Sequence, residues 1–195
     1  MNDRDSNALL QRMVDAVELV RKRLVSAASA LQAAHVEYAI IGGNAVAAWV
    51  ATVDRAAVRN TQDVDVLIRR TDFEKAKSAL ESAGFVYRRA AGLDLFLDSP
   101  TASPRDAVHL VFAGELVKPG EPASNPDISH TTDMGAFRVL NLRELVQIKL
   151  TAFRDKDRTH LRDLISVGLI DSTWPMQYSK QLADRLQSIL QNPDG

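Results

Sequence analysis

Arg59-Asn60-Thr61-Gln62-Asp63-Val64-Asp65-Val66-Leu67-Ile68 alternates acid with valine and then turns wholly apolar. In a β-strand successive side chains point to opposite faces, so Asp63 and Asp65 project from one face and Val64 and Val66 from the other. Two carboxylates side by side at a strand end repel each other and cost stability. A divalent metal seated between them removes that cost, which makes the pair a candidate metal site. The alternative is a solvated strand end.

Upstream, Val36 to Ile41 is a short apolar run ended by Gly42-Gly43, which predicts a buried strand and then a tight bend. Asn44 to Ala51 is alanine-rich and predicts a helix directly after the glycines. A glycine pair there lets a backbone approach a phosphate, and the helix N-terminus beyond offers unpaired N–H donors. A turn that needs positive φ explains the same pair without any ligand. Still earlier, Asn7 to Ala34 holds no Gly or Pro. Its apolar positions at Leu10, Met13, Val14, Val17, Val20, Leu24 and Val25 follow a helical period, with Ser26 as a candidate break.

Downstream, Thr71-Asp72-Phe73-Glu74 has the form of a capping box that opens a helix ending at Gly84. Residues 85–90, 93–98 and 107–113 predict three further strands. Pro119, Pro122 and Pro126 mark 114–135 as a long surface loop, which in a compact domain is more often functional than idle. Asn141 is placed to cap a helix running to Phe153, followed by helices over 155–167 and 179–191. The order is helix, then mixed strands with one or two helices, then helices only: an α+β pattern. The expected organisation is one compact unit, with an N-terminal helix (1–35), an α/β core (36–140) and a helical C-terminal part (141–195).

The 195 residues are 46% hydrophobic and 25% charged, ordinary for a soluble globular domain. A formal net charge of −1 gives no whole-chain electrostatic argument for nucleic-acid binding. The absence of cysteine excludes disulfides and thiolate metal sites. The polar start lacks the order of a secretory signal, and no apolar run reaches the roughly 18 residues of a membrane span. A cytoplasmic protein is expected.

Gly42-Gly43 followed by Arg59-x-Thr61-x-Asp63-x-Asp65 resembles the first motif of the nucleotidyltransferase superfamily, and most closely its AbiEii-type, minimal nucleotidyltransferase-like branch, known from bacterial toxin–antitoxin systems. The later stretch Leu145-x-x-x-Lys149-x-x-Ala152-x-Arg154-x-Lys156-Asp157 is similar to the second half of that branch. The resemblance implies a five-stranded mixed sheet flanked by helices, which binds a nucleoside triphosphate with Mg²⁺ or Mn²⁺ and transfers a nucleotidyl group. It implies that Asp63 and Asp65 are metal ligands, that Gly42, Gly43, Asn44, Arg59 and Thr61 surround the nucleotide, and that Lys149 contacts the triphosphate. Asp157 or Asp163 supplies a late acid. The acceptor it leaves open: an RNA end, a protein or a small molecule. A cognate antitoxin is an implied partner, and the oligomeric state is open.

One position departs from the superfamily. The third carboxylate, on a neighbouring strand, is replaced by His109 in Val108-His109-Leu110-Val111-Phe112. Imidazole suits Mn²⁺ or Zn²⁺ better than Mg²⁺ and supplies no negative charge. His109 is then a general base for an acceptor hydroxyl, or a ring satisfied by its neighbours in a protein that binds without turnover.

Overall fold

The computed structural model describes residues 3–192. A helix α1 (Asp3–Ala33) precedes strand β1 (Tyr38–Ile41), which runs without a loop into α2 (Gly42–Ala51). Then come β2 (Val64–Ile68), α3 (Phe73–Ser82), the β3–β4 hairpin (Val86–Ala90, Leu93–Leu97), β5 (Ala107–Phe112), β6 (Thr131–Asp133) and β7 (Arg138–Leu140). Three helices close the chain: α4 (Leu142–Ala152), α5 (Asp155–Ser166) and α6 (Lys180–Gln191).

The strands form one mixed sheet in the order β3-β4-β5-β2-β1-β7-β6. Its centre is wholly apolar because it is covered on both faces: Val64, Val66, Leu67, Ile68, Ala39 and Ile40 have no exposed surface. The faces are told apart by side-chain parity. Phe112 and Tyr87 meet Phe73 of α3 edge-on at 5.8 and 6.1 Å, so α1 and α3 cover that side. Residues of the other parity, Asp65, His109 and Leu95, face the side where α2, α4 and α5 pack. Helix α2 covers β1, β2 and β7, and α4 and α5 pack against α2. At the β5-β4-β3 end of the same face Leu95, Leu97 and Ala107 form a small separate cluster, with Val86 and Ala102 packed against it.

Several details differ from the sequence expectations. The sheet has seven strands where the resemblance implied five. Two of them are three-residue strands, and one, β6, lies inside the stretch read as pure loop. A short 3-10 turn, Arg70–Asp72, takes the place of the Thr71 cap, and no side chain caps α3. Asn141 occupies the cap position of α4, but its side-chain oxygen accepts from the Thr132 hydroxyl instead. Helix α1 runs unbroken through Ser26. Only its second half packs: Leu24, Ala27 and Leu31 are buried, whereas Leu10 and Met13 are more than half exposed.

Candidate active site

Asp63 immediately precedes β2, and Asp65 lies one strand pair from His109, its partner on the parallel neighbour β5. Asp65 also stands opposite Ile41, the last residue of β1. The register therefore delivers two acids and an imidazole to one point beside the start of α2. One ligand atom from each of Asp63, Asp65 and His109 lies within 4.8 Å of the others, so the three could hold a metal ion. Two carboxylate oxygens and one nitrogen are donors that suit Mn²⁺ well and Mg²⁺ with water completing its shell.

Each member is held in place. The Thr61 hydroxyl donates to Asp63 Oδ1 at 2.7 Å, and Asn44 Nδ2 donates to the Asp63 carbonyl at 2.8 Å. Burial raises the Asp63 carboxyl, but the Thr61 hydrogen bond and the nearby Lys156 charge outweigh it and hold the group below the usual carboxylate range. Lys156 Nζ lies 3.7 Å from Asp63 Oδ2. His109 Nδ1 is 3.2 Å from Asp65 Oδ1, and Nε2 is 3.2 Å from the Pro104 carbonyl. Burial lowers the ring's pKa, yet these oxygens, chiefly Asp65, carry it above the ordinary histidine value.

The glycine bend is shaped by this cluster. Gly42 has φ +70, and a Cβ there would overlap the Asp65 carboxylate. A Cβ on Gly43 would come within 2.9 Å of Thr61. Both glycines are therefore required where the first turn of α2 presses against the acids. That contact also sets Asp65 at the positive end of the α2 dipole.

A cleft of about 720 Å³ opens at this point. Gly42, Gly43, Asp63, Asp65 and His109 form one wall, and Lys149 of α4, Lys156 of α5 and Arg154 between the two helices face them. The proline-containing segment 117–122, expected to be functional from its composition alone, supplies another side. His160 and Arg185 also reach the cleft. Their sequence context offered no signal, because each is brought in by helix packing across a long separation. Arg185 donates to the Leu150 and Thr151 carbonyls at the end of α4.

Three expected residues are paired or buried within the protein. Arg59 pairs with Asp163 at 2.8 Å and does not line the cleft. Asp157 is wholly buried, accepting from Lys149 Nζ at 3.1 Å and Arg154 Nε at 2.7 Å. Lys149 borders the cleft but is only 2% exposed. The two late acids have different partners: Asp157 sits between Lys149 and Arg154, and Asp163 holds Arg59.

His160 gives a test of this packing. Its Nδ1 is shielded and has no hydrogen-bond partner, and burial, reinforced by the Lys149 charge, pushes the ring down to about 4. An unfolded histidine takes up its proton near pH 6.5, so the unfolded chain binds more protons between there and pH 4, and acid erodes stability across that window. His109, whose pKa is raised, works in the opposite sense. Replacing His160 with Gln is expected to recover about 2 kcal/mol relative to wild type at pH 4.5 and little at pH 7.5, read by urea unfolding. Equal differences at the two pH values would show that the ring is not held neutral.

No protein-family model matches the chain, and no curated protein matches its sequence. Solved structures do share its fold. The chain is similar to an antigenic nucleotidyltransferase-like protein from Paracoccidioides brasiliensis, with 17% identity, a TM-score of 0.55, and 92% of this chain and 91% of that one covered. It is similar also to the antibiotic-resistance factor ANT(2'')-Ia, known from its solution structure, at 12% identity and a TM-score of 0.53 over 91% and 92% of the two chains. The fold is that of nucleotidyltransferase-like proteins. Among the described residues no helix is long and apolar enough to cross a membrane.

Proposed function

We propose that the protein is a metal-dependent nucleotidyltransferase that moves a nucleoside monophosphate from a nucleoside triphosphate to an acceptor hydroxyl. The observation that carries this reading is the convergence of Asp63, Asp65 and His109 on one point of a cleft whose opposite wall is cationic. Asp63 and Asp65, with His109 beside them, would hold Mg²⁺ or Mn²⁺, which neutralises phosphate charge and polarises phosphoryl oxygens. The backbone of Gly42 and Gly43 approaches the phosphates, and Arg154 and Lys156 receive the triphosphate tail. Thr61 and Asn44 fix the orientation of Asp63. Lys149 contributes its charge from a buried position. Both nitrogens of His109 already face oxygens, which favours a holding role over that of general base. The ordered motifs support placement in the AbiEii-type branch, with an antitoxin as partner.

The test is thermal stabilisation by each nucleoside triphosphate with Mg²⁺ or Mn²⁺, since a ligand that binds only the folded chain raises its melting point, by about 2.7 kcal/mol of stability at a hundredfold excess over Kd. Wild type is expected to show the shift. The variant carrying Asp63→Ala with Asp65→Ala is expected to lose both the shift and transfer of label from an α-labelled triphosphate. Wild-type binding and turnover by that variant would defeat the proposal.

A second reading, nucleotide binding without turnover, is favoured by His109 standing in place of a carboxylate and bonding to Asp65. A gain of transfer in His109→Asp over an inactive wild type supports it, and robust wild-type transfer removes it.

A further inference from the structure

A second cavity, of about 470 Å³, opens beside the main cleft. It is lined by Leu93 and Leu95 of β4 and by Ala90, Ala91 and Pro104, with Gln62 as a polar neighbour of Asp63. It shares Asp63, Leu93 and His109 with the main cleft, so whatever occupies it lies next to the point where the two acids converge. We propose that this cavity is the acceptor site, and that it takes an uncharged small molecule carrying its hydroxyl on an apolar body. The inference rests on the transfer reading above and adds the chemical class of the acceptor.

The lining argues for that class by what it offers a ligand. No Lys or Arg lines the cavity among the described residues. Arg88, on the neighbouring strand, is turned to the Pro100 carbonyl at 2.6 Å, and Arg89 has the opposite parity, facing the α3 side of the sheet. A polyanionic RNA end would find no phosphate partner among these described lining residues. A polyamine would find one carboxylate, Asp63, and that group is already engaged by Thr61 and Lys156. Charged groups taken from water into an apolar lining without partners are strongly disfavoured. Apolar surface is favoured there by about 25 cal/mol per Å². Leu93 is a large apolar side chain 43% exposed at this spot, ready to be covered by a ligand. The size fits as well, since small-molecule sites span about 300–1,000 Å³.

The cavity also has a rigid base. Arg23, 7% exposed on α1, donates to the Gln62 carbonyl at 3.0 Å and to Asp98 at 2.6 Å, and so ties the residue before Asp63 to the end of β4. In the transfer, the acceptor hydroxyl oxygen forms a bond to the α-phosphorus as the bond from that phosphorus to the bridging oxygen breaks. Pyrophosphate leaves with that oxygen, and the hydroxyl proton passes to water at the open mouth of the cavity.

The probe is 2-naphthol, compared with kanamycin as a polyamine and with the trinucleotide CCA as an RNA end, each titrated into the ¹⁵N-labelled full chain. The expected result is that 2-naphthol shifts the amides of Ala90, Ala91, Leu93 and Leu95, and accepts label from an α-labelled triphosphate. Its affinity should fall about tenfold or more in Ala91→Asp, whose left-handed turn position aspartate tolerates, and in Leu93→Glu, both checked for unaltered far-ultraviolet dichroism. Shifts of these amides by kanamycin or CCA in place of 2-naphthol, or by none of the three, overturn the inference. If 2-naphthol stays silent while triphosphate with Mn²⁺ still raises the melting point, the acceptor class is wrong and the transfer reading survives. If 2-naphthol binds but no triphosphate stabilises the chain, the transfer reading fails and the acceptor assignment falls with it.

Discussion

Gly42→Ala is expected to destabilise the fold by about 3 kcal/mol or more and to abolish metal-dependent stabilisation by triphosphate. Two costs combine. The residue sits at φ +70, which an alanine adopts only with strain, and the new methyl would occupy the position of the Asp65 carboxylate. Relief requires either the first turn of α2 or Asp65 to move, and both belong to the candidate metal site. Gly168 is the control. It has a similar φ of +77 but nothing within 4 Å of a Cβ, so Gly168→Ala carries the backbone strain alone, about 1 kcal/mol. Urea unfolding of the two variants separates overlap from strain. If both lose the same stability and Gly42→Ala still binds metal, the bend is not built around Asp65.

This contact explains why part of the site could be read from the chain. Asp63-Val64-Asp65-Val66 is local: parity along one strand fixes which side chains share a face, whatever the strand pairs with. The glycine pair is local too, although its reason is not. The bend is required by a carboxylate more than twenty positions downstream, brought close because β1 and β2 pair with Ile41 opposite Asp65. His109 was found through its place in a motif, and the β2–β5 register then puts it beside Asp65. Strands β6 and β7 were not legible, since three residues are too few for a period of two to register among the prolines. The partner of Arg59 was illegible for another reason. Asp163 lies on α5, across the fold, and nothing in the composition of either segment specifies the approach. The burial of Lys149 was hidden in the same way. It and Asp157 belong to different helices, and the chain reverses between them at Phe153, whose φ of +49 no local rule predicts for an aromatic residue.

That buried pair leads to the other large effect. Asp157→Ala is expected to destabilise the protein by about 3–5 kcal/mol, because it leaves the Lys149 ammonium almost wholly buried without its counter-charge. Burial by itself raises the Asp157 carboxyl, and the hydrogen bonds and charge of Arg154 and Lys149 reverse this and keep it below the usual range. Burial lowers the Lys149 ammonium, and Asp157 opposes that. With Asp157 removed, the lysine pKa falls further below its unfolded value, so the unfolded chain binds more protons and the variant gains stability relative to wild type as pH rises from 7 toward 10. A loss independent of pH over that range would show that the charge is not what destabilises the variant. The paired replacement Lys149→Met with Asp157→Leu removes both charges from the interior and is expected to restore most of the lost stability, as exchanges of buried ion pairs for apolar residues commonly do. The paired variant then separates core stability from the two things the pair lends the cleft, the Lys149 charge and the placement of Arg154 by Asp157. If the paired variant is stable but no longer stabilised by triphosphate, one of these two acts on the phosphates, and Lys149→Met alone tells which. If it binds triphosphate like wild type, Arg154 and Lys156, whose side chains are each about half exposed to the cleft, carry the phosphate contact and the Lys149–Asp157 pair serves only to join α4 to α5.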